Sequence, residues 1–159
     1  MGRFTYAPTL GPGQYRRTLY TFWRRSSAPT FLFDSAMRRT CEVEPRRTNT
    51  PLHALTLLND VTALESARTL AEKVLRQQSD ENVEVRLNDM FQSVLSRTPN
   101  ANEIAILGRE HRKALAYYSQ NPSAAEAFVS VGQLADVSDV SEIELAADTM
   151  MTSLILNLD

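Results

Sequence analysis

The chain has 159 residues, of which 43% are hydrophobic and 23% are charged, and this composition excludes a chain that is disordered throughout. The longest strongly apolar stretch, residues 149–158, is shorter than the roughly 20 residues of a membrane-spanning helix, so no transmembrane segment is expected. The single cysteine, Cys41, excludes an internal disulfide and cannot by itself form a structural zinc site. Because the first residues lack the apolar run of a signal peptide, we expect no export signal in this chain.

The formal net charge of −2 conceals two halves of opposite sign. Residues 1–47 contain nine arginines, no lysine and three acidic residues, whereas residues 48–159 contain eight basic and sixteen acidic residues. Five of the seven prolines and three of the five glycines lie in the first 51 residues, where they favour loops and turns. The sequence therefore predicts an irregular arginine- and aromatic-rich arm, residues 1–47, followed by a helical part, residues 48–159, within the same domain.

The first helical signals are a short stretch in the arm and two helix starts after it. Within the arm, only residues 15–25 (YRRTLYTFWRR) have the apolar spacing of a short helix. A threonine followed by proline at Thr50 is typical of a helix start and predicts a short helix through Leu58. Asn59 or Asp60 can cap a second, amphipathic helix that ends near residue 78.

The remaining helices are predicted from apolar spacing and from capping signals. A third helix runs from about residue 81 and must stop before Pro99. Three further starts have the spacing of a capping box, namely Asn100 with Glu103, Ser123 with Glu126, and Ser141 with Glu144. The last helix is predicted to bury Ile143, Ala147, Met150, Met151, Leu154 and Leu158. The expected fold is an all-α bundle of about five to six helices preceded by the irregular arm.

The reactive side chains are few, and they favour a non-catalytic protein without a cofactor or metal. The sequence contains no phosphate-binding glycine loop and no G-x-S-x-G, H-E-x-x-H or C-x-x-C motif. Cys41, His53 and Asp34 could act as nucleophile, base and orienting group, but Cys41 packed as a small apolar residue is the favoured interpretation. His111 falls on an apolar helix face, which indicates a partly buried core or interface residue.

A group of carboxylates before the last helix has the charge, but not the pattern, of a calcium site. The group lacks the alternating oxygen ligands and the turn glycine of a calcium-binding loop. Acidic residues are in any case favoured at a helix N-terminus by the helix dipole. We therefore expect these carboxylates to stabilise the start of the last helix rather than to bind calcium: Asp136, Asp139, Glu142 and Glu144.

Four Arg-Arg pairs, interleaved with aromatic residues, distinguish the arm. The planar guanidinium suits contacts with carboxylate, phosphate or sulfate and stacks on aromatic rings. The favoured interpretation is that the arm packs on the acidic part of its own chain or on a neighbouring domain. The alternative is a binding site for an anionic polymer, with sulfated polysaccharide favoured over nucleic acid. The candidate contact residues are Arg16, Arg17, Trp23, Arg24, Arg25, Arg38, Arg39, Arg46 and Arg47.

Several segments closely resemble one known family. Residues 15–25 (YRRTLYTFWRR), the pair Phe33-Asp34 and residues 40–60 (TCEVEPRRTNTPLHALTLLND) resemble a C-terminal domain of unknown function, domain 1553, of large cytochrome-c-like planctomycete proteins. Weaker similarity continues to Leu107 and resumes at the closing residues 154–159. The chain departs from the family where His53 replaces the usual glutamine.

The resemblance implies a piece of a larger protein. In the family this stretch is the tail of a longer chain with an export signal, sometimes a haem-binding domain, and a second domain upstream. The resemblance therefore implies an extracytoplasmic or cell-envelope setting and gives no catalytic residue. It implies a truncated or split gene, whose partner is an upstream domain of the parent protein or the product of the other gene half. No haem is expected in this chain itself.

Overall fold

The structure, a computed structural model, describes residues 13, 15, 43, 50–78, 82–133 and 139–158. These residues form six α-helices and no strand, which confirms the predicted all-α bundle. The helices are α1 (Pro51–Asn59), α2 (Val61–Gln77), α3 (Val83–Leu95), α4 (Ala101–Gln120), α5 (Pro122–Val129) and α6 (Glu142–Leu156). The chain divides into two compact units, Met1–Ala54 and Leu55–Asp159. The helix predicted over residues 15–25 lies outside the described residues, and the predicted division after residue 47 stays a prediction.

Three predicted helix starts are confirmed by their caps. The Asp60 side chain accepts a hydrogen bond from the Ala63 amide at 3.0 Å, which satisfies one of the free amides at the start of α2. At α4, Asn100 and Glu103 cap each other's backbone amides, as the capping-box spacing predicts. The Ser141 side chain accepts from the backbone amide three residues later at the start of α6.

The predicted start of α5 is wrong. This helix begins at Pro122, so Ser123 lies inside the first turn and does not cap Glu126. Proline is favoured at the first helical position because its fixed φ suits a helix and it has no amide to satisfy. The preceding residue, Asn121, makes no side-chain cap and instead donates its side-chain amide to the Tyr117 carbonyl. The proline, rather than a capping box, therefore sets the start of α5.

Helix α6 lies at the centre of the bundle and packs against α2, α3, α4 and α5. Because it has neighbours on most sides, it buries a wider face than an amphipathic surface helix does. Two of its predicted core residues are wrong, since Met150 is 39% exposed and Leu158, just beyond the helix, is 45% exposed. Polar residues are buried in this helix together with the apolar ones: Leu145, Ala146, Ala147, Asp148, Thr149, Met151, Thr152, Ser153 and Ile155.

The predicted apolar faces of the third and fourth helices form much of the surrounding core. Leu87, Met90 and Phe91 of α3 are fully buried. Tyr118 of α4 stacks on Phe128 of α5 with the ring centroids 6.0 Å apart. The bundle is therefore held by apolar packing around α6, with aromatic contacts between α4 and α5.

An ion pair at the start of α4 makes the stability of the fold depend on pH. The Arg97 guanidinium donates two hydrogen bonds to the Glu103 carboxylate and, together with the Asn100 amide, lowers the pKa of Glu103 to about 2. The pKa in the unfolded chain is about 4.3. Because the folded pKa is the lower one, the ionised carboxylate stabilises the fold above about pH 4, and this contribution is lost as the pH falls through 2.

Replacing Glu103 by glutamine should therefore lower the thermal midpoint at pH 7 and leave it nearly unchanged at about pH 2. Glutamine keeps an oxygen that can accept from the Asn100 amide, so the variant isolates the loss of charge. The measurement is a pair of melts followed by circular dichroism at each pH. A difference of equal size at both pH values would contradict the assignment.

Candidate functional site

Three ionisable side chains from three helices meet inside the bundle. Asp148 of α6 lies between His111 of α4 and Arg86 of α3. Its Oδ1 is 2.8 Å from Nε2 of His111, and its Oδ2 is 3.3 Å from Nε of Arg86. The side chains of His111 and Asp148 are 1% exposed and that of Arg86 is 5% exposed. We call these three residues the buried ionic cluster.

Thr152 contacts the backbone of Asp148 beside the cluster. Thr152, one turn after Asp148, donates its hydroxyl to the Asp148 carbonyl at 2.9 Å. The same hydroxyl lies 3.3 Å from the Met90 sulfur on α3, so α3 and α6 also meet at this point. Thr152 and Met90 are both fully buried. The cluster is thus packed within the core rather than lining a cleft.

The chemistry of the cluster is that of a structural ion pair. A carboxylate that orients an imidazole is also part of many hydrolytic sites, where the imidazole must reach a substrate. Here burial keeps the His111 ring and the Asp148 carboxylate away from dissolved molecules. The carboxylate instead holds the imidazole and the guanidinium, and so links α3, α4 and α6.

A second buried carboxylate fixes the segment that follows α5. Glu65 of α2 is 1% exposed, and its Oε1 accepts a hydrogen bond from the Gln133 amide. The residue before, Gly132, has a φ of 100°, and a Cβ built there would overlap the Glu65 side chain. Arg68, also buried, follows Glu65 on α2. Glu65 and Gly132 therefore form a close contact that only glycine accommodates.

An open groove of about 300 Å³ lies between α2 and α3. Leu70 and the buried Val74 supply its apolar part. Gln78 at the end of α2 donates to Asp89 on the opposite wall, which joins the two helices beside the groove. The other lining residues are Lys73, Gln77, Gln92 and Ser93. The groove is small and mostly polar, unlike the larger apolar pockets typical of small-molecule sites.

Helix α1 has several exposed leucines. Leu52, Leu55 and Leu58 follow one another at intervals of three residues, so they lie along one side of the helix. Their exposed fractions are 62%, 59% and 37%. We call these three residues the α1 leucine row. Helix α1 buries none of its nine residues.

The candidate arm residues lie outside the described residues, and their role stays a prediction. This applies to all eight paired arginines and to the tryptophan: Arg16, Arg17, Trp23, Arg24, Arg25, Arg38, Arg39, Arg46 and Arg47. Cys41 and Asp34 also lie outside them. His53 is described and is half-buried on α1.

The acidic residues near α6 occupy different environments. Asp139 forms an ion pair with Arg76 at 2.9 Å, and this hydrogen bond holds the pKa of Asp139 below its ordinary value. Glu142 and Glu144 lie in the first turn of α6, where the helix dipole favours them. Within the described ranges, three or more His, Cys, Asp or Glu side chains do not come together as a group that could hold a metal ion.

Sequence reasoning located one member of the buried ionic cluster and missed the other two. His111 was predicted to be partly buried, and the structure shows it almost completely buried beside Asp148. The available signals were a single aspartate inside the otherwise uncharged stretch 145–156 and an arginine next to the core residue Leu87. Neither signal identifies a partner, because the residues of the cluster are far apart in sequence.

The comparisons with known proteins give a family and no function. A family profile described as "PSD1: Protein of unknown function (DUF1553)" matches residues 3–110, more than half of the chain. The match includes the segments 15–25 and 40–60 but not the closing residues 154–159. No curated protein and no solved structure matches the chain. Among the helices that the structure describes, none is long and apolar enough to cross a membrane. The chain belongs to the DUF1553 family of proteins of unknown function.

Proposed function

We propose that this chain is a non-catalytic interaction domain and forms the C-terminal part of a larger protein. The resemblance of residues 15–25 and 40–60 supports a parent protein of the cytochrome-c-associated planctomycete type. In this proposal haem belongs to a separate domain, and the chain itself binds no cofactor. The arm contacts an upstream domain of the parent protein or the product of a split gene. The setting is extracytoplasmic or at the cell envelope.

The observation that carries this proposal is the exposure of the α1 leucine row. Contiguous apolar side chains on a surface lower solubility unless another surface covers them, and they often mark a protein–protein contact. The helix has a further leucine, Leu57, that is 40% exposed. The exposed apolar residues therefore include all four leucines of one nine-residue helix.

The buried ionic cluster supports the non-catalytic part of the proposal. Its histidine and carboxylate are the pair that would most readily serve as base and orienting group. Both are 1% exposed and directed at each other. A structural role for these residues needs no access to substrate, which matches their place in the core.

The alternative is a binding module for an anionic polymer, and the composition of the arm supports it. Arg16-Arg17 and Arg24-Arg25 flank Tyr20, Phe22 and Trp23. The guanidinium groups of such a segment can contact phosphates or sulfates, and its aromatic rings can stack on bases or sugars. A sulfated polysaccharide is the preferred polymer in this alternative.

Heparin chromatography of the full chain separates the two functions. For the interaction domain we expect weak retention that the arm variant and the control variant lower by the same amount, because without a polymer site each arginine contributes only its charge. For the anionic-polymer module we expect retention that falls steeply with salt, since each phosphate-like contact releases counterions. The test variant replaces Arg24 and Arg25 by alanine, and the control replaces the exposed Arg109 and Arg112 of α4. Strong retention that only the arm variant abolishes would overturn the first proposal.

A further inference from the structure

Helix α6 packs through apolar side chains that specify its position only weakly. Nine of its fifteen residues are buried, so no single apolar stripe sets its rotation. Met151 of this helix and Met90 of α3 are fully buried, and methionine side chains adapt to different packings. Apolar attraction has no direction, so these contacts favour burial of α6 without selecting one position for it. Five of the nine buried residues have small side chains: Ala146, Ala147, Thr149, Thr152 and Ser153.

The buried ionic cluster supplies a contact that does depend on position. Asp148 is the one charged residue among the nine that α6 buries. Its two carboxylate oxygens contact different helices. Oδ1 lies 2.8 Å from Nε2 of His111 on α4, and Oδ2 lies 3.3 Å from Nε of Arg86 on α3. Contacts with two separate helices restrict both the rotation of α6 and its position along its own axis.

A displacement of α6 by one helical turn breaks both contacts at once. The movement is about 5 Å, which neither an ion pair nor a hydrogen bond tolerates. The Arg86 side chain is 5% exposed, so its guanidinium would then be buried without a carboxylate. A buried charge that has lost its partner is strongly unfavourable. A displaced packing therefore carries a penalty that apolar side chains at these positions would not impose.

Such a contact acts on specificity more than on stability. A buried ion pair adds little net stability compared with apolar residues of similar volume, because desolvation offsets the attraction. A single buried polar residue can nevertheless fix the register of packed helices. We propose that the buried ionic cluster is a register lock, which selects one position of α6 between α3 and α4. This conformational role goes beyond the interaction function proposed above.

Removal of the charges tests the register lock. The double variant Arg86→Met with Asp148→Leu replaces the ion pair by apolar side chains. Its amide NMR spectrum should show duplicated or broadened signals for α6, while circular dichroism keeps the helix content of the wild type. Asp148→Asn makes the same test with the least change of shape. Arg86 then lacks its carboxylate in every position of α6, so no position is favoured and the same duplication or broadening is expected.

Spin-label distances measure the position of α6 directly. Glu142 of α6 and two residues of α4, Ala105 and Ala116, are exposed and can carry labels on introduced cysteines once Cys41 is replaced by serine. Ala105 and Ala116 lie on either side of His111 along α4, so at least one of the two distances from Glu142 changes when α6 slides. The wild type should give one narrow distance for each pair. The two charge variants should give a second distance, displaced by about 5 Å, or a distribution broadened by that amount.

Gly132→Ala is the control for a general loss of stability. This change is strained and affects the contact with Glu65, but it leaves the buried ionic cluster intact. It should therefore keep one set of α6 signals and the wild-type distances. One set of signals and unchanged distances in both charge variants would overturn the proposal, as would equal broadening in Gly132→Ala. Loss of helix in both charge variants would also overturn it, because the cluster would then be required for folding rather than for the choice of packing.

Discussion

Replacing Asp148 by alanine is expected to lower the free energy of unfolding by about 3–5 kcal/mol, the range observed when one partner of a buried ion pair is removed. The change leaves the Arg86 guanidinium buried without its carboxylate, at a site where its side chain is 5% exposed. It also leaves the His111 ring nitrogen without the group that it contacts at 2.8 Å. The measurement is urea unfolding, with the midpoint and the slope fitted separately.

The matched control for this variant is Asp139→Ala. Both aspartates form an ion pair with an arginine, but the Asp139 side chain is 61% exposed and its partner Arg76 is 48% exposed. Exposed pairs contribute little because solvent screens them and the side chains lose freedom. The control should therefore unfold at nearly the wild-type urea concentration. Equal shifts for the two variants would show that burial of the cluster is not what makes Asp148 important.

A double variant tests whether the charge or the volume of the cluster is required. Replacing Arg86 by methionine and Asp148 by leucine removes both charges and keeps apolar volume. Because no unpaired charge remains on these two residues, we expect the double variant to be more stable than Asp148→Ala alone. The His111 ring still loses its partner, so full recovery is not expected. A double variant less stable than the single one would contradict the ion-pair interpretation.

The second large effect is expected at Gly132, where alanine should cost about 2–3 kcal/mol of stability. The φ of 100° at this position is strained for any residue with a Cβ, and the Cβ would also overlap the Glu65 side chain. Glu65 has little room to move, because it is 1% exposed and its Oε1 accepts from the Gln133 amide. Urea unfolding of Gly132→Ala measures the loss directly.

Gly108→Ala is the matched control for Gly132, with an expected change of opposite sign. Gly108 lies inside α4, and a Cβ there would meet only the Arg112 side chain at 3.8 Å, an ordinary contact. Alanine in a helix interior is favoured over glycine by about 0.5–1 kcal/mol. The Gly108 variant should therefore be more stable than the wild type. A stabilised Gly132 variant would contradict the close contact with Glu65.

The positions of most helices could be predicted from the sequence because their starting signals are local. The caps of α2, α4 and α6 are made by Asp60, Asn100 and Ser141 with amides two or three residues away. Such contacts depend on neighbours in the chain and not on the rest of the fold. The exception is α5, where two local signals competed and the proline at residue 122 set the start.

The buried polar residues could not be predicted, because their burial depends on contacts between distant segments. His111 and Asp148 are 37 residues apart, and Glu65 accepts from an amide 68 residues away. From periodicity alone, an aspartate in the last helix is assigned to solvent. Helix α6 buries it because four other helices surround this helix.

The all-α class, the boundaries of most helices and the family could be predicted from the sequence, since local caps, apolar spacing and the segments at 15–25 and 40–60 are all read along the chain. Three features became evident only in the folded chain: the central place of α6, the contacts of Asp148 with Arg86 and His111, and the need for glycine at residue 132 beside Glu65. The two groups of features differ in range, because a cap acts within one helical turn, whereas burial and ion pairing are set by which helices pack together.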